Sequence, residues 1–343
     1  MSIDQTLNSV AQPPVDVPDI QRGDWLALPA SDPVVQFLDA QLWSEVTPPS
    51  AWEVARLSPA VYVYRETITH WAVVAKFYAV KTGEKAKRYA RREFECTQRA
   101  REALSTDPAL RAVAVLATWR GVLFLEYVDG LTLEDTVAVR RSRPGTLNPS
   151  LEGIAQLLVT LHTQGVQPDA APDFEAPAAY ARELVHDLVR WGVLESDPVV
   201  RDSLNRLIDQ WAREPAMAEF SPVLSHGDAT TSNFVFPWTG GVVAVDWERL
   251  EVADPAADLG RLMAELGHSI NQHGGSVAEA VPFVGRLAGA YRQALPGMVD
   301  ADALLARARF YQASSSLRIA RNGWVSKLDR MALVAHALAL LSK

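Results

Sequence analysis

Cysteine is almost missing from this chain. The single Cys96 among 343 residues excludes an intrachain disulfide and any metal cage built of cysteine thiolates. A lone thiol fits a reducing compartment, so a cytoplasmic protein is expected. Long apolar runs are missing as well. The most apolar late stretch, Met331 to Leu341, is too short to span a bilayer and contains His336. The first residues show no basic region leading into an apolar core, so no secretory signal is expected. Positive charge is not in excess either. A formal net charge of −8 argues against a general binder of nucleic acid or of anionic membranes, which should be basic. There is no internal repeat and no long low-complexity tract.

The chain does have enough apolar residues, 48%, to bury a sizeable core, and its length suggests two domains or lobes. One stretch organises the rest, Val223 to Asp258. An apolar lead-in ends at His226-Gly227-Asp228, and Asn233 follows five positions after that aspartate. Two short β-type runs come next, Phe234 to Phe236 and Val242 to Val245, joined through Thr239-Gly240-Gly241. The second run ends in another carboxylate, Asp246. Phosphoryl transfer needs these parts: a carboxylate to receive the acceptor's proton, and an amide oxygen with a second carboxylate to hold Mg²⁺ on nucleotide phosphates.

This stretch resembles the catalytic centre of the aminoglycoside phosphotransferase and choline kinase-like family, which shares the protein-kinase fold. The family's pattern is His-Gly-Asp, four residues, Asn, a strand ending in Asp-Trp-Glu, then Asp-Pro-x-x-Asp. Here it reads Asp228, Asn233, Asp246-Trp247-Glu248 and Asp254-Pro255-Ala256-Ala257-Asp258. The resemblance implies that Asp228 orients the acceptor and takes its proton, and that Asn233 and Asp246 bind Mg²⁺. It also implies that His226 fixes the loop and that Asp258 braces it from a helix N-terminus. Thr230, Thr231 and Ser232 are expected to hydrogen-bond within the turn. Trp247 and Glu248 are open between touching substrate and packing.

Lys76 sits in the apolar run Val73-Val74-Ala75-Lys76-Phe77, where an ammonium turned inward is costly unless paired. The alternative is an edge-strand lysine facing solvent. The resemblance favours a phosphate-binding lysine held by a helix glutamate. Arg92-Glu93-Phe94 has the family's spacing, so Glu93 is the expected partner and Glu95 points to another face. Backbone at Glu126 to Val128 is expected to meet the nucleotide base, without distinguishing ATP from GTP. The family's phosphate-covering turn is usually rich in Gly or Ser. Here it is Leu57-Ser58-Pro59-Ala60, with no glycine, and Pro59 has no N–H to offer a phosphate.

In chain order, residues 1–50 read as an N-terminal arm, polar and Pro-interrupted through Ala30. They include a short helix opened by Asp32-Pro33 and ended by Thr47-Pro48-Pro49-Ser50. Residues 51–128 read as strands Trp52 to Leu57, Val61 to Thr67 and Trp71 to Ala79, a helix Lys85 to Leu104, and a hairpin of Val113 to Trp119 with Val122 to Val128. Five strands with a helix after the third make the small lobe of a kinase-like α+β fold. Residues 129–343 read as a mostly helical lobe. Its helices start near Asn148-Pro149, Pro177, Asp197-Pro198, Pro255, Ser276, Asp300 and Trp324.

Asp254-Pro255 arrives eight residues after Asp246, which leaves no room for a peptide-docking activation segment. The expected activity is therefore transfer of a phosphoryl group from ATP or GTP, with Mg²⁺, to a hydroxyl or amine of a small molecule: an antibiotic, a sugar or an amino alcohol. A catalytically silent nucleotide-binding module is the alternative, favoured only by the missing glycines. Tyr311, Arg318, Arg321 and Trp324 either line the acceptor pocket or simply pack.

Overall fold

The structure, a computed structural model, describes residues 24–42, 51–78, 83–167, 169–297 and 299–342. Expectations for residues 1–23, for the stop at Thr47 to Ser50 and for Ala79 fall outside these. The chain divides into two compact units. The first takes its described residues from the chain up to Glu102, from Ala112–Asp129 and from Asp246–Glu248. The second holds Ala103–Arg111, Gly130–Val245 and Arg249–Lys343.

The first unit is built on β1 (Leu26–Leu28), α1 (Pro33–Phe37), β2 (Trp52–Ser58), β3 (Val61–Glu66), β4 (Ala72–Phe77) and α2 (Gly83–Ala103). After β5 (Leu110–Ala112), which pairs in the second unit, come β6 (Val115–Trp119) and β7 (Val122–Glu126). The sheet has six strands in the order β1-β2-β3-β4-β7-β6, not the expected five. The extra one is β1, in the arm that reads as structureless. It pairs antiparallel with β2, Leu28 opposite Trp52. Asp32 caps α1 by accepting from Val34 and Val35 N–H, with Pro33 at the first helical position. The chain continues as a π-turn, Leu38–Leu42, whose Asp39 accepts from Trp52 Nε1 at 2.8 Å.

Period two decides what β4 does. Val73, Ala75 and Phe77 turn into a core with Val35, Leu38, Trp52, Tyr64 and Phe124, and Phe37 stacks on Phe124 at 4.9 Å. Lys76 therefore faces the other side of the sheet.

The second unit holds β8 (Gly130–Thr132), α3 (Leu133–Ala138), α4 (Leu147–Gln164), α5 (Glu175–Arg190), α6 (Pro198–Ala212), β9 (Val223–Ser225), β10 (Phe234–Pro237), β11 (Val242–Ala244), β12 (Glu251–Ala253), α7 (Pro255–Gln272), α8 (Val277–Ala294), α9 (Ala301–Arg321) and α10 (Lys327–Leu341). The expected hairpin is β10–β11, with Phe234 opposite Ala244, and it lies in a four-stranded sheet ordered β5-β11-β10-β8. β9 and β12 pair on either side of the catalytic-type stretch, Ser225 opposite Glu251. Pro sits in the first turn of α6 and α7 behind the N-caps Asp197 and Asp254. α7 and α9 approach closely at Gly260, where an added Cβ would run into the Ala308 carbonyl oxygen and Tyr311. No described helix is long and apolar enough to cross a membrane.

Candidate active site

In the first unit a strand lysine meets three carboxylates. Lys76 Nζ lies 2.8 Å from Glu93 Oε2, 2.5 Å from Asp246 Oδ1 and 3.1 Å from Glu248 Oε2. Glu93 comes from the buried face of α2. Tyr78, two residues beyond Lys76, donates its hydroxyl to the same Glu93 oxygen. Burial works against the Lys76 ammonium, but Glu93 and Asp246 outweigh it and hold its pKa above the usual lysine value. Glu95 is on the exposed side of α2 and pairs with Arg91 at 2.9 Å.

Asp246 adopts φ +64°, a left-handed conformation that costs a non-glycine residue about 1–2 kcal/mol. It immediately follows Val245, whose N–H donates to the Asn233 carbonyl. Trp247 is fully buried, whereas Glu248 reaches Lys76. Glu126 ends β7 with its N–H given to the Ala114 carbonyl, and its carboxylate accepts the Ala114 N–H at 2.9 Å. Its own amide is thus spent within the sheet. Val128 lies in the segment past the strand.

In the second unit the loop after β9 carries Asp228. Gly227 takes φ +75°, and a Cβ there would collide with the Arg249 carbonyl oxygen, so only glycine fits between His226 and Asp228. Asp258, in the first turn of α7, accepts from His226 N–H at 2.7 Å and Gly227 N–H at 3.0 Å, one on each oxygen. His162 Nε2 lies 3.1 Å from the same carboxylate, and its Nδ1 lies 2.6 Å from the Tyr291 hydroxyl. Since a carboxylate only accepts, Nε2 carries the proton towards Asp258. The His226 ring bonds the Val245 carbonyl at 3.0 Å. Asn233 is buried, and its side-chain N–H donates to the Asp228 carbonyl at 2.9 Å. This leaves its amide oxygen, approached by the Ser232 hydroxyl at 3.3 Å. Thr230 does bond Ser232 within the turn, but Thr231 does not: its hydroxyl donates to Glu134 of α3.

Sequence reasoning missed the partner of Asp228. Arg261 Nη1 donates to Asp228 Oδ1 at 2.5 Å, and Arg249 Nε stands 3.9 Å from Oδ2. Arg261 is three residues, one turn of α7, beyond Asp258. If Asp258 braces the loop bearing Asp228, a residue one turn along the same helix face falls beside that loop. That spacing was the available signal. Arg261 also lines a cavity of about 420 Å³, together with Gly227, Ser225, Tyr311 and Arg318. Of the other residues left open, Arg321 pairs with Asp187 at 3.0 Å and Trp324 is largely exposed.

A model of the phosphotransferase enzyme family matches residues 61–302, well over half of the chain. The chain belongs to that family. Comparison with curated proteins gave no match. Among solved structures, ADP-bound aminoglycoside phosphotransferase APH(2'')-Ib is similar at a TM-score of 0.57 and 14% identity, over 90% of this chain and 99% of that one. The Plasmodium vivax ethanolamine kinase Pv091845 is similar at 0.53 and 15%, over 90% and 86%. Choline kinase LicA from Streptococcus pneumoniae is similar at 0.52 and 18%, over 84% and 91%. These identities speak for the fold, which is α+β and protein-kinase-like.

The lysine cluster makes a measurable prediction. Lys76→Met and Glu93→Gln should each weaken nucleotide binding, and the double change should cost less than their sum, with a coupling of about 0.5–3 kcal/mol. Lys76→Met should be the worse single change, because it leaves three carboxylates facing one another. Glu95→Gln is the control and should be neutral. Additive effects of Lys76 and Glu93 would show that the ion pair plays no part in binding nucleotide.

Proposed function

We propose that this member of the phosphotransferase family moves the γ-phosphoryl group of ATP or GTP to a hydroxyl or amine of a small molecule by Mg²⁺-assisted in-line transfer. The observation that carries the reading is the Lys76 ammonium held between α2 and the Asp246-Trp247-Glu248 segment. A half-buried lysine on a strand, held charged by three carboxylates, is a fixed cation that nucleotide phosphates can use. In this reading Lys76 meets nucleotide phosphates and Glu93 keeps it in place. Backbone between Glu126 and Val128 meets the base.

The donor set suits a hard divalent cation. Oxygens of Glu93, Asp246 and Glu248 lie within 4.8 Å of one another. Three carboxylates against one ammonium leave two negative charges, which one Mg²⁺ would balance. Asp246 would hold the metal, with the amide oxygen of Asn233 as a further ligand. When bound, Mg²⁺ neutralises phosphate charge. Asp228 takes the acceptor's proton, and the Asp258 brace fixes the loop that presents it.

Asp246→Asn should raise the Mg²⁺ concentration needed for half-maximal turnover by roughly tenfold or more, since one formal charge beside the metal is lost. An unchanged metal titration would place the metal elsewhere. A screen of acceptors with nucleoside diphosphate release as readout tests the function itself. Tight nucleotide binding with no release for any acceptor class would favour the silent binding module.

A further inference from the structure

A second cavity, of about 440 Å³, lies among α7, α8, α9 and α10, and none of its lining residues lines the cavity at Arg261. Two glycines keep it open. Gly267 inside α7 and Gly285 inside α8 both line it, and an added Cβ at either would meet nothing within 4 Å. Glycine inside a helix destabilises it relative to alanine, so packing gives no reason for either one. The walls are otherwise mainly apolar, with Met263, Val281, Val284 and Leu333.

Two polar groups face this space unspent. Gln312 is only 5% exposed, yet its side-chain amide has no partner among the described residues and is open to the cavity rather than sealed. Arg309 is three residues earlier and therefore on the same face of α9. It stands at the exposed rim, with no carboxylate or other partner among the described residues. Its neighbours one turn away on α9 are Leu305, Ala306, Gln312 and Ala313, which offer it no charge.

The lining carboxylate, Asp329, is at the far end. Gly260 of α7 abuts Ala308 and Gln312, whereas Asn271, eleven residues further along α7, donates to Asp329 at 3.0 Å. Arg309 and Asp329 are therefore on the order of 16 Å apart along the helix, beyond a Debye length in physiological salt. Asp329 also accepts from the Ser326 hydroxyl at 2.6 Å. His268, nearer Asp329, is held below the usual histidine pKa by burial and adds no charge at neutral pH. The Arg309 end is left with an unpaired positive charge beside an apolar space.

We propose that this cavity binds a small carboxylic acid with an apolar body, of the medium-chain type. Its carboxylate meets the Arg309 guanidinium and the Gln312 N–H, and its chain fills the space kept by the two glycines. The site is separate from Asp228 and does not depend on the transfer reaction.

Octanoate, octanol and octylamine share one chain and test this by calorimetric titration of the full-length protein, below their micellar concentrations. Octanoate should bind saturably, one per chain, and at least about tenfold more tightly than octylamine, with octanol between them. Arg309→Gln changes an exposed position and should bring octanoate and octylamine within about threefold. Gly267→Leu fills the cavity and should weaken all three by at least about tenfold, while the melting temperature stays at or above that of the parent. Gly285→Leu repeats the test from the facing helix. Octylamine binding as tightly as octanoate overturns the proposal, and so does the absence of saturable octanoate binding. Octanoate binding that survives both glycine substitutions in folded protein places the acid elsewhere and overturns it as well.

Discussion

Asp228→Asn is expected to lower turnover by roughly 10²–10⁴, the range for losing a general base, or about 3–5.5 kcal/mol of barrier. Nucleotide affinity should stay within about threefold, because Lys76, Glu93 and Asp246 are untouched. Asparagine keeps the shape and one oxygen for Arg261 but can take no proton. Single-turnover rates and nucleotide binding, measured side by side, separate the two quantities. A variant that turns over at the full rate would remove Asp228 from the chemistry. One that also loses nucleotide would show that the loop, not the base, had failed.

The second large effect should be on stability. Asp258 is fully buried and satisfies two backbone N–H groups and a histidine. Asp258→Ala leaves all three donors without an acceptor, which should cost about 3–5 kcal/mol. That is a large share of the roughly 5–15 kcal/mol that holds a typical domain folded. Burial alone would raise the pKa of this carboxyl, but the hydrogen bond and charge of His162, with His226 behind them, hold it below the ordinary value. A carboxylate depressed in the folded state contributes stability above the unfolded pKa, near 4, and loses it as pH falls through the folded value. The parent should therefore lose stability steeply in that acid window, and Asp258→Ala should show a shallower fall. Urea midpoints between about pH 2.5 and 7 measure both. A midpoint unchanged at pH 7 would mean that the brace is not structural.

The long periodic elements were legible in the sequence, because their signals are local. Asp197-Pro198 and Asp254-Pro255 mark helix starts through caps that need nothing else in the fold. The β10–β11 hairpin follows from Thr239-Gly240-Gly241, with Gly240 and Gly241 at positive φ. The short strands were not legible. Leu26–Leu28 is three residues that are extended only because β2 supplies their hydrogen bonds, and β8, β9 and β12 form in the same way. Long-range pairing also decided the side chains that motif spacing misplaced. Thr231 turns to Glu134, 97 residues away in the chain, rather than to its own turn. Arg261 has no motif of its own, and only the register of α7 from Asp258 places it beside Asp228.

Asp246, Trp247 and Glu248 belong to the first unit although the rest of that unit ends at Asp129. During synthesis the strands and α2 leave the ribosome long before these three residues do. At roughly 5–20 residues per second the delay is on the order of 6–24 s. Until then Lys76 has Glu93 as its one carboxylate among its three eventual partners, and the pair is close to neutral. The nascent N-terminal unit can thus form its sheet while lacking the negative charge that would hold a divalent cation. Completion of that charge waits for the β10–β11 hairpin to be made, so a chain truncated before it should fold in part and bind no metal nucleotide.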